Sequence, residues 1–253
     1  MTTTFEITLS SPVNLRHLGG IAIAGGVLRP GLAIRADDLS TCTEEDAAAL
    51  VADGLVSVID LRSNAEVAHT GRGPLAGHPV AYHHLPLIAD VMTATPKDLS
   101  GLSHEAMGEM YLDMIESSAS QLVTALNVIA HAPGTTAFHC AAGRDRTGVL
   151  AAMLLLALGA ADTDIITDYA RTGDNMLAIM ERTKVMTGAM WKAIGFDFEV
   201  PEVSGLLNGR MDVAMTIVLT TLRERHGDAL GPLRDAGLSS DTVNRLRNRA
   251  LAA

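Results

Sequence analysis

The chain has 253 residues, of which 48% are hydrophobic and 3% aromatic, and its formal net charge is −10. This length fits one α/β domain with a C-terminal helical extension, and the hydrophobic share is ample for a core of aliphatic side chains. The negative charge argues against a general binder of nucleic acids or anionic membranes, because phosphate-rich surfaces attract basic proteins. A small basic pocket for one phosphorylated ligand remains compatible with it.

Short strands separated by glycine and proline turns are predicted first, over residues 12–36. Thr43 then precedes an acidic helix start, and Gly54 ends the same helix, as expected of an N-cap and a C′ glycine. The apolar, β-branched run 55–61 predicts a buried strand, and a further strand is expected near 80–85.

The next stretch is predicted to be a long loop, because residues 86–103 are rich in Pro, Asp, Thr and Ser. Apolar residues recur at helical spacing over 104–131, which predicts one helix ended by Pro133. A strand over 135–138 then precedes an apolar helix over 149–159. Strands alternating with helices indicate an α/β fold with a central, mainly parallel sheet flanked by helices.

The C-terminal part is assigned to the same single domain, 1–253. Its methionine-rich segment 176–215 is interpreted either as a mobile helical lid or as helices packed on the core, and the helical spacing favours packing. Residues 216–253 are predicted to form C-terminal helices. Three basic residues near the end are expected on a solvated helix face rather than at an anionic lipid: Arg245, Arg247 and Arg249.

The cysteine content and the N-terminus bear on where the protein works. Cys42 and Cys140 cannot form a disulfide framework, so a reducing compartment is the simpler expectation. No basic stretch followed by an apolar run begins the chain, and the most apolar run, 149–161, is too short to span a bilayer. We expect a cytoplasmic protein without stable membrane insertion, and export without a signal peptide stays open. Cys42 is interpreted as a bystander.

One ten-residue run joins the predicted strand at 135–138 to the apolar helix. It reads His139-Cys140-Ala141-Ala142-Gly143-Arg144-Asp145-Arg146-Thr147-Gly148. A Cys-x5-Arg pair alone arises easily by chance. Here it stands at a strand-to-helix turn, contains a glycine and is flanked by His and Thr-Gly, which makes an inert buried cysteine the weaker interpretation.

The chemistry of a phosphate dianion explains each position of this run. Backbone N–H groups at a helix N-terminus converge on an anion, so the amides from Ala141 onward are predicted to bind phosphate. Gly143 permits the tight turn, and Arg146 can bind two phosphate oxygens at once. The same amides favour a thiolate on Cys140, which makes it the predicted nucleophile. Two flanking side chains complete the prediction: Thr147 donates its hydroxyl to the thiolate or phosphate, and His139 holds the loop backbone.

At these residues the chain resembles the protein tyrosine phosphatase superfamily, and most of all the bacterial tyrosine/serine phosphatases whose loop is Cys-x-x-Gly-Lys-Asp-Arg-Thr-Gly. Arg144 stands where that group has lysine. The resemblance extends to four further segments: Asn14-Leu-Arg16-His-Leu-Gly19-Gly20, Arg29-Pro30-Gly31, Asp60-Leu61-Arg62-Ser63 and Asp168-Tyr169. It implies a phosphotyrosine phosphatase-like fold, no metal or other cofactor, and attack by Cys140 followed by hydrolysis of a cysteinyl phosphate.

The resemblance also suggests substrates and a general acid. Related enzymes act on phosphotyrosine, some on phosphoserine or phosphothreonine, and on phosphoinositides, so the expected partner is a phosphorylated protein, lipid or small molecule. A second cation at Arg144 would favour substrates with more than one anionic group. The loop aspartate of the group carries over to Asp145 as the acid. Two alternatives stay open: Asp145 pairs with an arginine, or Asp90 or Asp98 is the acid.

Residues outside the loop carry weaker predictions. Asp60 and Arg62 end a predicted strand, where they support the pocket or form a structural ion pair. Asp174 and Asn175 either face the site or cap a helix.

Three functions are compared. The first is a cysteine-dependent phosphatase. The second is a pseudophosphatase that only binds phosphate, which the intact Cys140, Asp145, Arg146 and Thr147 disfavour. The third is a rhodanese-like sulfurtransferase, which the Arg146-Thr147-Gly148 continuation disfavours.

Overall fold

The central sheet has five strands in the order β1-β4-β7-β5-β6 and lies within a computed structural model that describes residues 7–88, 103–193 and 210–251. Only β1 runs antiparallel to its neighbour, whereas β4, β7, β5 and β6 are parallel. A separate two-stranded antiparallel ribbon is formed by β2 and β3. The strands are β1 (Arg16–His17), β2 (Ala22–Ile23), β3 (Gly26–Val27), β4 (Ala33–Ala36), β5 (Leu55–Asp60), β6 (Ala81–His84) and β7 (Thr135–His139).

Helices cover both faces of this sheet. They are α1 (Glu44–Ala52), α2 (Asn64–Thr70), α3 (His104–Ser117), α4 (Ala119–His131), α5 (Asp145–Leu158), α6 (Asp162–Ala170), α7 (Met176–Ala193), α8 (Asp212–His226), α9 (Gly231–Asp235) and α10 (Ser240–Leu251). Within the described ranges, short 3-10 turns occur at Leu39–Thr41, Pro74–Gly77 and Arg171–Asn175. The predicted α/β fold with a mainly parallel sheet is confirmed.

Two hydrophobic cores lie on the opposite faces of the sheet. Neighbouring residues of one strand point to opposite faces, so Phe138 joins the larger core and Ala137 the smaller one. The larger core contains α5, whose side chains are buried around nearly its whole circumference. This burial explains why the α5 sequence is apolar throughout rather than amphipathic. The smaller core packs α1 against β4 and β5.

The first predicted helix agrees closely with the structure. Thr43 is the N-cap of α1, and its hydroxyl accepts a hydrogen bond from the Asp46 N–H while the Asp46 side chain accepts from the Thr43 N–H. This reciprocal capping box satisfies two amides that a helix start leaves without partners.

The prediction of a single helix over 104–131 is wrong. The segment forms α3 and α4, which are separated at Ser118. Ser118 is buried and leaves helical geometry, while its hydroxyl donates to the Leu87 carbonyl at 2.9 Å. A serine bond to backbone outside the helix competes with helical continuation, which the apolar spacing alone does not reveal. The predicted start of the loop helix is also corrected, because α5 begins at Asp145 and not at residue 149.

The C-terminal arginines are only partly solvated. Arg245 is exposed as predicted, but Arg247 donates to the Ala157 carbonyl and Arg249 to the carbonyls of Ile129 and Gly134. These bonds fix α10 onto the body of the domain, so the prediction of a solvated basic face is wrong for two of the three. None of the helices in the described ranges combines the length and apolarity that crossing a bilayer requires.

Candidate active site

The segment Cys140–Arg144, here called the loop, lies at the carboxyl edge of the parallel sheet. It connects the end of β7 to the first residue of α5. The neighbouring strands end at the same level, because His139 is in register with Ala36 of β4 and with Asp60 of β5. Ligand sites of open parallel sheets form at this edge. Cys140 lies at the base of the loop with 1% of its surface exposed.

The loop carbonyls point inward and are tied to the protein. Ala141 O accepts from the Asp38 N–H at 3.1 Å. The Asn14 side-chain amide donates to Ala142 O at 3.3 Å and to Gly143 O at 3.2 Å, and Arg35 Nη2 donates to Gly143 O at 2.8 Å. In a trans peptide the C=O and N–H point in opposite directions. The amides that follow these carbonyls therefore point away from the tied side.

These outward amides have no acceptor among the described residues. The Gly148 N–H, which donates to Arg144 O, makes the first bond of α5. The preceding N–H groups thus belong to the unsatisfied start of a helix, where partial positive charge accumulates. Partial positive charge is therefore expected on the outward side of the loop, and an anion site there stays a prediction.

A buried ion-pair network holds the two side chains that tie the loop. Asp168 of α6 accepts from Arg35 Nη1 and, at 3.0 Å, from Arg16 Nε. Arg16 Nη1 also donates to the Asn14 side-chain oxygen at 2.6 Å, which orients the Asn14 amide toward the loop. Burial opposes the charge on Asp168, but Arg35 and Arg16 outweigh it and hold the pKa of Asp168 below its usual value. The Asp168-Tyr169 and Asn14-x-Arg16 segments thus meet at the loop.

Gly143 cannot be replaced by a residue with a side chain. Its φ is +66°, in the left-handed region, and a Cβ there would lie 2.6 Å from Ala36 O. The turn therefore needs glycine for backbone conformation and for the close approach of β4.

Arg146 is held by a residue that the sequence analysis missed. Its Nη1 and Nη2 contact the two carboxylate oxygens of Glu66 at 2.6 and 2.9 Å. Glu66 lies in the first turn of α2 and accepts from the N–H of the N-cap residue Ser63 at 2.7 Å. Burial opposes the charge of Arg146, but Cys140 and Glu66 raise its pKa above the ordinary value. The Ser-x-x-Glu spacing was a visible capping signal, although it does not reveal the Arg146 contact.

Asp60 and Arg62 lie beneath the loop in a closed polar cluster. The guanidinium of Arg62 contacts both Asp60 carboxylate oxygens, at 2.9 and 2.6 Å, and Asp38 at 3.2 Å. Asp60 and Arg62 are 0% and 1% exposed, so they lie behind the loop rather than on an open pocket wall. Of the two alternatives, the geometry shows the ion pair.

His139 belongs to the same cluster. Its Nδ1 accepts from the Leu39 N–H at 3.3 Å, which places the proton of the neutral ring on Nε2. Burial lowers the pKa of His139, so the ring is neutral at pH 7. A neutral, enclosed imidazole fits the predicted role of holding backbone.

The other side of the loop carries an open set of polar groups. Asp145, with 30% of its side chain exposed, accepts a hydrogen bond from the Tyr111 hydroxyl. Arg144 is 5% exposed, and its Nε and Nη2 have no hydrogen-bond partner in the described part of the chain. His104 is 9% exposed, and neither of its ring nitrogens has a partner in those residues. Burial and the charge of Arg144 both lower the pKa of His104, so the two side chains are electrostatically coupled.

Thr147 and Cys42 complete the comparison with the predicted site. Thr147 Oγ1 is fully buried in the first turn of α5 and has no partner among the described residues. Its hydroxyl hydrogen therefore stays available for a hydrogen bond to a group at the loop. Cys42 is 0% exposed, and burial together with Asp46 raises the pKa of its thiol to about 11. It stays protonated at neutral pH.

Several predicted residues lie outside the site or outside the described ranges. Asp174 and Asn175 belong to the 3-10 turn, where the Asn175 amide lies 3.5 Å from the Asn14 side-chain oxygen. Asp90 and Asp98, the alternative acids, are not among the described residues.

The lid hypothesis for 176–215 also stays a prediction, because 194–209 fall outside the described ranges. Arg182 of α7 contacts Asp37 at 2.7 Å, which anchors the start of this segment. Among the methionines of this segment whose burial the structure describes, Met176, Met211 and Met215 are buried.

The part of the chain that the structure describes contains no cluster of side chains suited to bind a metal ion. No three His, Cys, Asp or Glu side chains there are arranged to hold a metal ion.

Comparison with known proteins agrees with this geometry. The family model described as the tyrosine phosphatase family matches residues 7–252. The chain is 30% identical to the triple specificity protein phosphatase PtpB of Mycobacterium tuberculosis, over 92% of this chain and 95% of that protein. It is 27% identical to a tyrosine-protein phosphatase of Nostoc commune, over 85% of this chain and 73% of that protein.

The fold and these matches define a phosphatase of the tyrosine phosphatase type, an enzyme that hydrolyses phosphate monoesters. The chain belongs to the tyrosine phosphatase family. Phosphorylated proteins or small molecules are accordingly its class of substrate.

Proposed function

We propose that the protein hydrolyses phosphate monoesters through a cysteinyl phosphate on Cys140. The observation that carries this proposal is the inward tying of three successive loop carbonyls, which leaves the amides of the same peptides directed outward at the start of α5. Such amides stabilise both a thiolate and the charge that develops on a transferring phosphoryl group. A loop that served only to bind phosphate would need no thiol at its base.

Arg146 supplies the second element of phosphate binding. Its two terminal nitrogens each use one hydrogen for Glu66, so each retains a second hydrogen, and Nε retains its own. The Glu66 contact therefore fixes the plane of the guanidinium without consuming its donors. A preoriented arginine loses little freedom when two phosphate oxygens bind.

The chemistry proceeds in two steps. The Cys140 sulfur forms a bond to phosphorus while the bond to the leaving oxygen breaks, and Asp145 gives its proton to that oxygen. Water then attacks phosphorus and loses a proton to the Asp145 carboxylate, while the sulfur–phosphorus bond breaks and the Cys140 thiolate is released. Asp145 suits both steps because it adjoins Arg146 and is partly exposed.

Hydrolysis of p-nitrophenyl phosphate at pH 4–8 in EDTA tests this mechanism. The native enzyme is expected to turn over, and Cys140→Ser to lose at least about 10³-fold, because a serine hydroxyl is a poor nucleophile without a base. Cys42→Ser is the matched control and should keep its activity, since the Cys42 thiol is protonated and does not belong to the loop. Activity retained by Cys140→Ser would remove the cysteinyl phosphate from the mechanism.

Arg144 and His104 favour substrates that carry a second anionic group. Both are nearly buried beside the loop. Arg144 Nη2 and both ring nitrogens of His104 have no partner in the described chain, whereas Arg144 Nε lies 3.7 Å from Asp145 Oδ1. Unpaired buried donors are costly, so an anionic group that bonds them is well recognised. We extend the proposal from phosphotyrosine to phosphoinositides, whose headgroups present phosphates on neighbouring ring positions.

The substrate proposal is tested by Arg144→Met, which keeps the side-chain length and removes the charge. It should lower kcat/KM about tenfold or more on a phosphoinositide bisphosphate and much less on p-nitrophenyl phosphate. Arg144→Lys, which keeps the charge, is the control. Equal losses on both substrates would contradict a second anion site.

A further inference from the structure

We propose that Tyr111 and Tyr169 place the proton of the general acid on the outward oxygen of Asp145. The Tyr111 hydroxyl donates to Asp145 Oδ1 and lies 2.8 Å from the Tyr169 hydroxyl. This inference rests on the proposed function, because it takes Asp145 as the acid. It assigns two positioning residues that lie on α3 and α6, remote in sequence from the loop.

While Asp145 is ionised, the donors in this chain of hydroxyls have a fixed order. An ionised carboxylate only accepts, so Tyr111 must donate its single hydrogen to Asp145. The Tyr111 oxygen can then accept, and Tyr169 is the donor that faces it at 2.8 Å. Burial and the nearby Asp145 raise the pKa of both tyrosines, so both hydroxyls stay protonated over the working pH range.

This order determines which carboxylate oxygen carries the acid proton. Oδ1 accepts from Tyr111 and lies 3.7 Å from Arg144 Nε, so a proton on Oδ1 would face two donors. Oδ2 has no hydrogen bond or ion pair in the described part of the chain. The acid proton is therefore held on Oδ2, the oxygen left free for the leaving group.

The same hydrogen bond also serves the second step. Between the two steps Asp145 is a carboxylate, and a donated hydrogen bond stabilises that charged form. Tyr111 thus holds the acid in position in the first step and stabilises the base before the second.

Packing holds the two tyrosines in this arrangement. Tyr111 and Tyr169 are 0% and 1% exposed, and their rings meet edge to face with centroids 6.0 Å apart. Tyr169 lies directly against Gly148 of α5, where an added Cβ would come within 2.9 Å of its ring. The final glycine of the loop motif therefore makes room for Tyr169. Asp168 and Tyr169 then have separate tasks, since the first orders the loop and the second orders its acid.

The test compares Tyr111→Phe and Tyr169→Phe with the native enzyme, using phenyl phosphate, which has a poor leaving group, and p-nitrophenyl phosphate, which has a good one. Tyr111→Phe should lower kcat on phenyl phosphate about tenfold, the size of a lost hydrogen bond to a charged group, and much less on p-nitrophenyl phosphate. The basic limb of its kcat profile should move to higher pH, because the carboxylate has lost a donor. Tyr169→Phe should show the same effects at smaller size.

Two controls separate positioning from structure. Tyr82→Phe removes a hydroxyl that donates to Asp60 at 2.9 Å, and it should leave the basic limb where it is. In an Asp145→Asn background, Tyr111→Phe should cause no further loss of kcat, because both changes act through one group. Phenylalanine matches the tyrosine ring, so both variants should fold.

The outcomes distinguish the two proposals. If Asp145→Asn loses the basic limb while Tyr111→Phe keeps the native limb and leaving-group dependence, Asp145 remains the acid and the tyrosine assignment is overturned. If Asp145→Asn itself keeps the basic limb, the acid assignment falls, and the role of the tyrosines falls with it. Loss of activity in Cys140→Ser, measured in parallel, establishes the nucleophile whichever result is found.

Discussion

On the inner side of the loop, the carbonyls of Ala141, Ala142 and Gly143 each accept a hydrogen bond from Asp38, Asn14 or Arg35. On the outer side, the loop amides, Arg144 and His104 leave donors unpartnered within the described residues. The inner side is complete without substrate, whereas the proposed function gives the outer donors an anionic ligand as their partner. With the proposed function, stability is thus assigned to the inner face of the loop, and substrate binding to its outer face together with His104.

Replacing Arg35 should lower the free energy of unfolding more than any other change on the inner side of the loop. Arg35 is 0% exposed, and Arg35→Met would leave buried Asp168 with Arg16 alone and Gly143 O without its guanidinium donor. Breaking a buried pair costs about 3–5 kcal/mol, so urea unfolding should show a loss of that size. Arg223→Met is the matched control. It breaks a pair with Asp162 whose side chains are 42% and 41% exposed, and it should cost no more than about 1 kcal/mol. Similar losses in the two variants would contradict the comparison.

Asn14→Ala should have a smaller effect on the same side. It removes the donor to two loop carbonyls and an acceptor of Arg16, so unfolding free energy should fall by about 1–3 kcal/mol. Inhibition by inorganic phosphate should weaken as well, because the amides opposite those carbonyls lose their fixed direction. Asn175→Ala, which removes a 3.5 Å contact to Asn14 and no other side-chain hydrogen bond within the described residues, should change stability by about 0.5 kcal/mol or less. If phosphate inhibition is unchanged in Asn14→Ala, the carbonyl ties do not orient the amides.

The pH dependence of stability should show the enclosed state of His139. Its pKa is lowered by burial, so between about pH 6.5 and its folded-state pKa the unfolded chain binds a proton that the folded chain does not. Stability should therefore fall as pH falls through this window, by up to about 1.4 kcal/mol per pH unit for one proton. His104 shifts in the same direction. Chemical denaturation at several pH values should give a shallower slope for His139→Gln, and an unchanged slope would show that His139 is not the group concerned.

Sequence patterns predicted the parts of this site that are local. The strand, the loop and the helix that follows it occupy one short run, and periodicity with helix-terminus chemistry is enough to place them. The capped start of α1 was equally local. The contacts of Glu66, Arg35 and Tyr111 are not local, and the sequence patterns did not predict them. They join the loop region to residues far along the chain: Glu66 to Arg146 spans 80 positions, Arg35 to Gly143 spans 108 and Tyr111 to Asp145 spans 34.

The missed features share a physical cause. Spacing along a helix gives the face that is buried, but not the element that the face meets. It therefore could not show that Ser118 would bond to Leu87 and separate α3 from α4, nor that Arg247 and Arg249 would donate to carbonyls of other elements. The pairs Asn14-x-Arg16 and Asp168-Tyr169 were noticed as family patterns, and only the fold brings them together at the loop.

The span of the Asn14 contacts has a consequence for how the enzyme forms. Asn14 meets the loop across 128 and 129 positions, and it meets Thr172 across 158. Contacts this distant in sequence are closed late, because the chain must first lose the entropy of a long loop. During synthesis, Asn14 leaves the ribosome long before its partners in the loop and in the 3-10 turn Arg171–Asn175 exist. Catalytic competence should consequently appear only after the chain has been made through residue 172, and recovery of activity on refolding should lag behind recovery of helical structure.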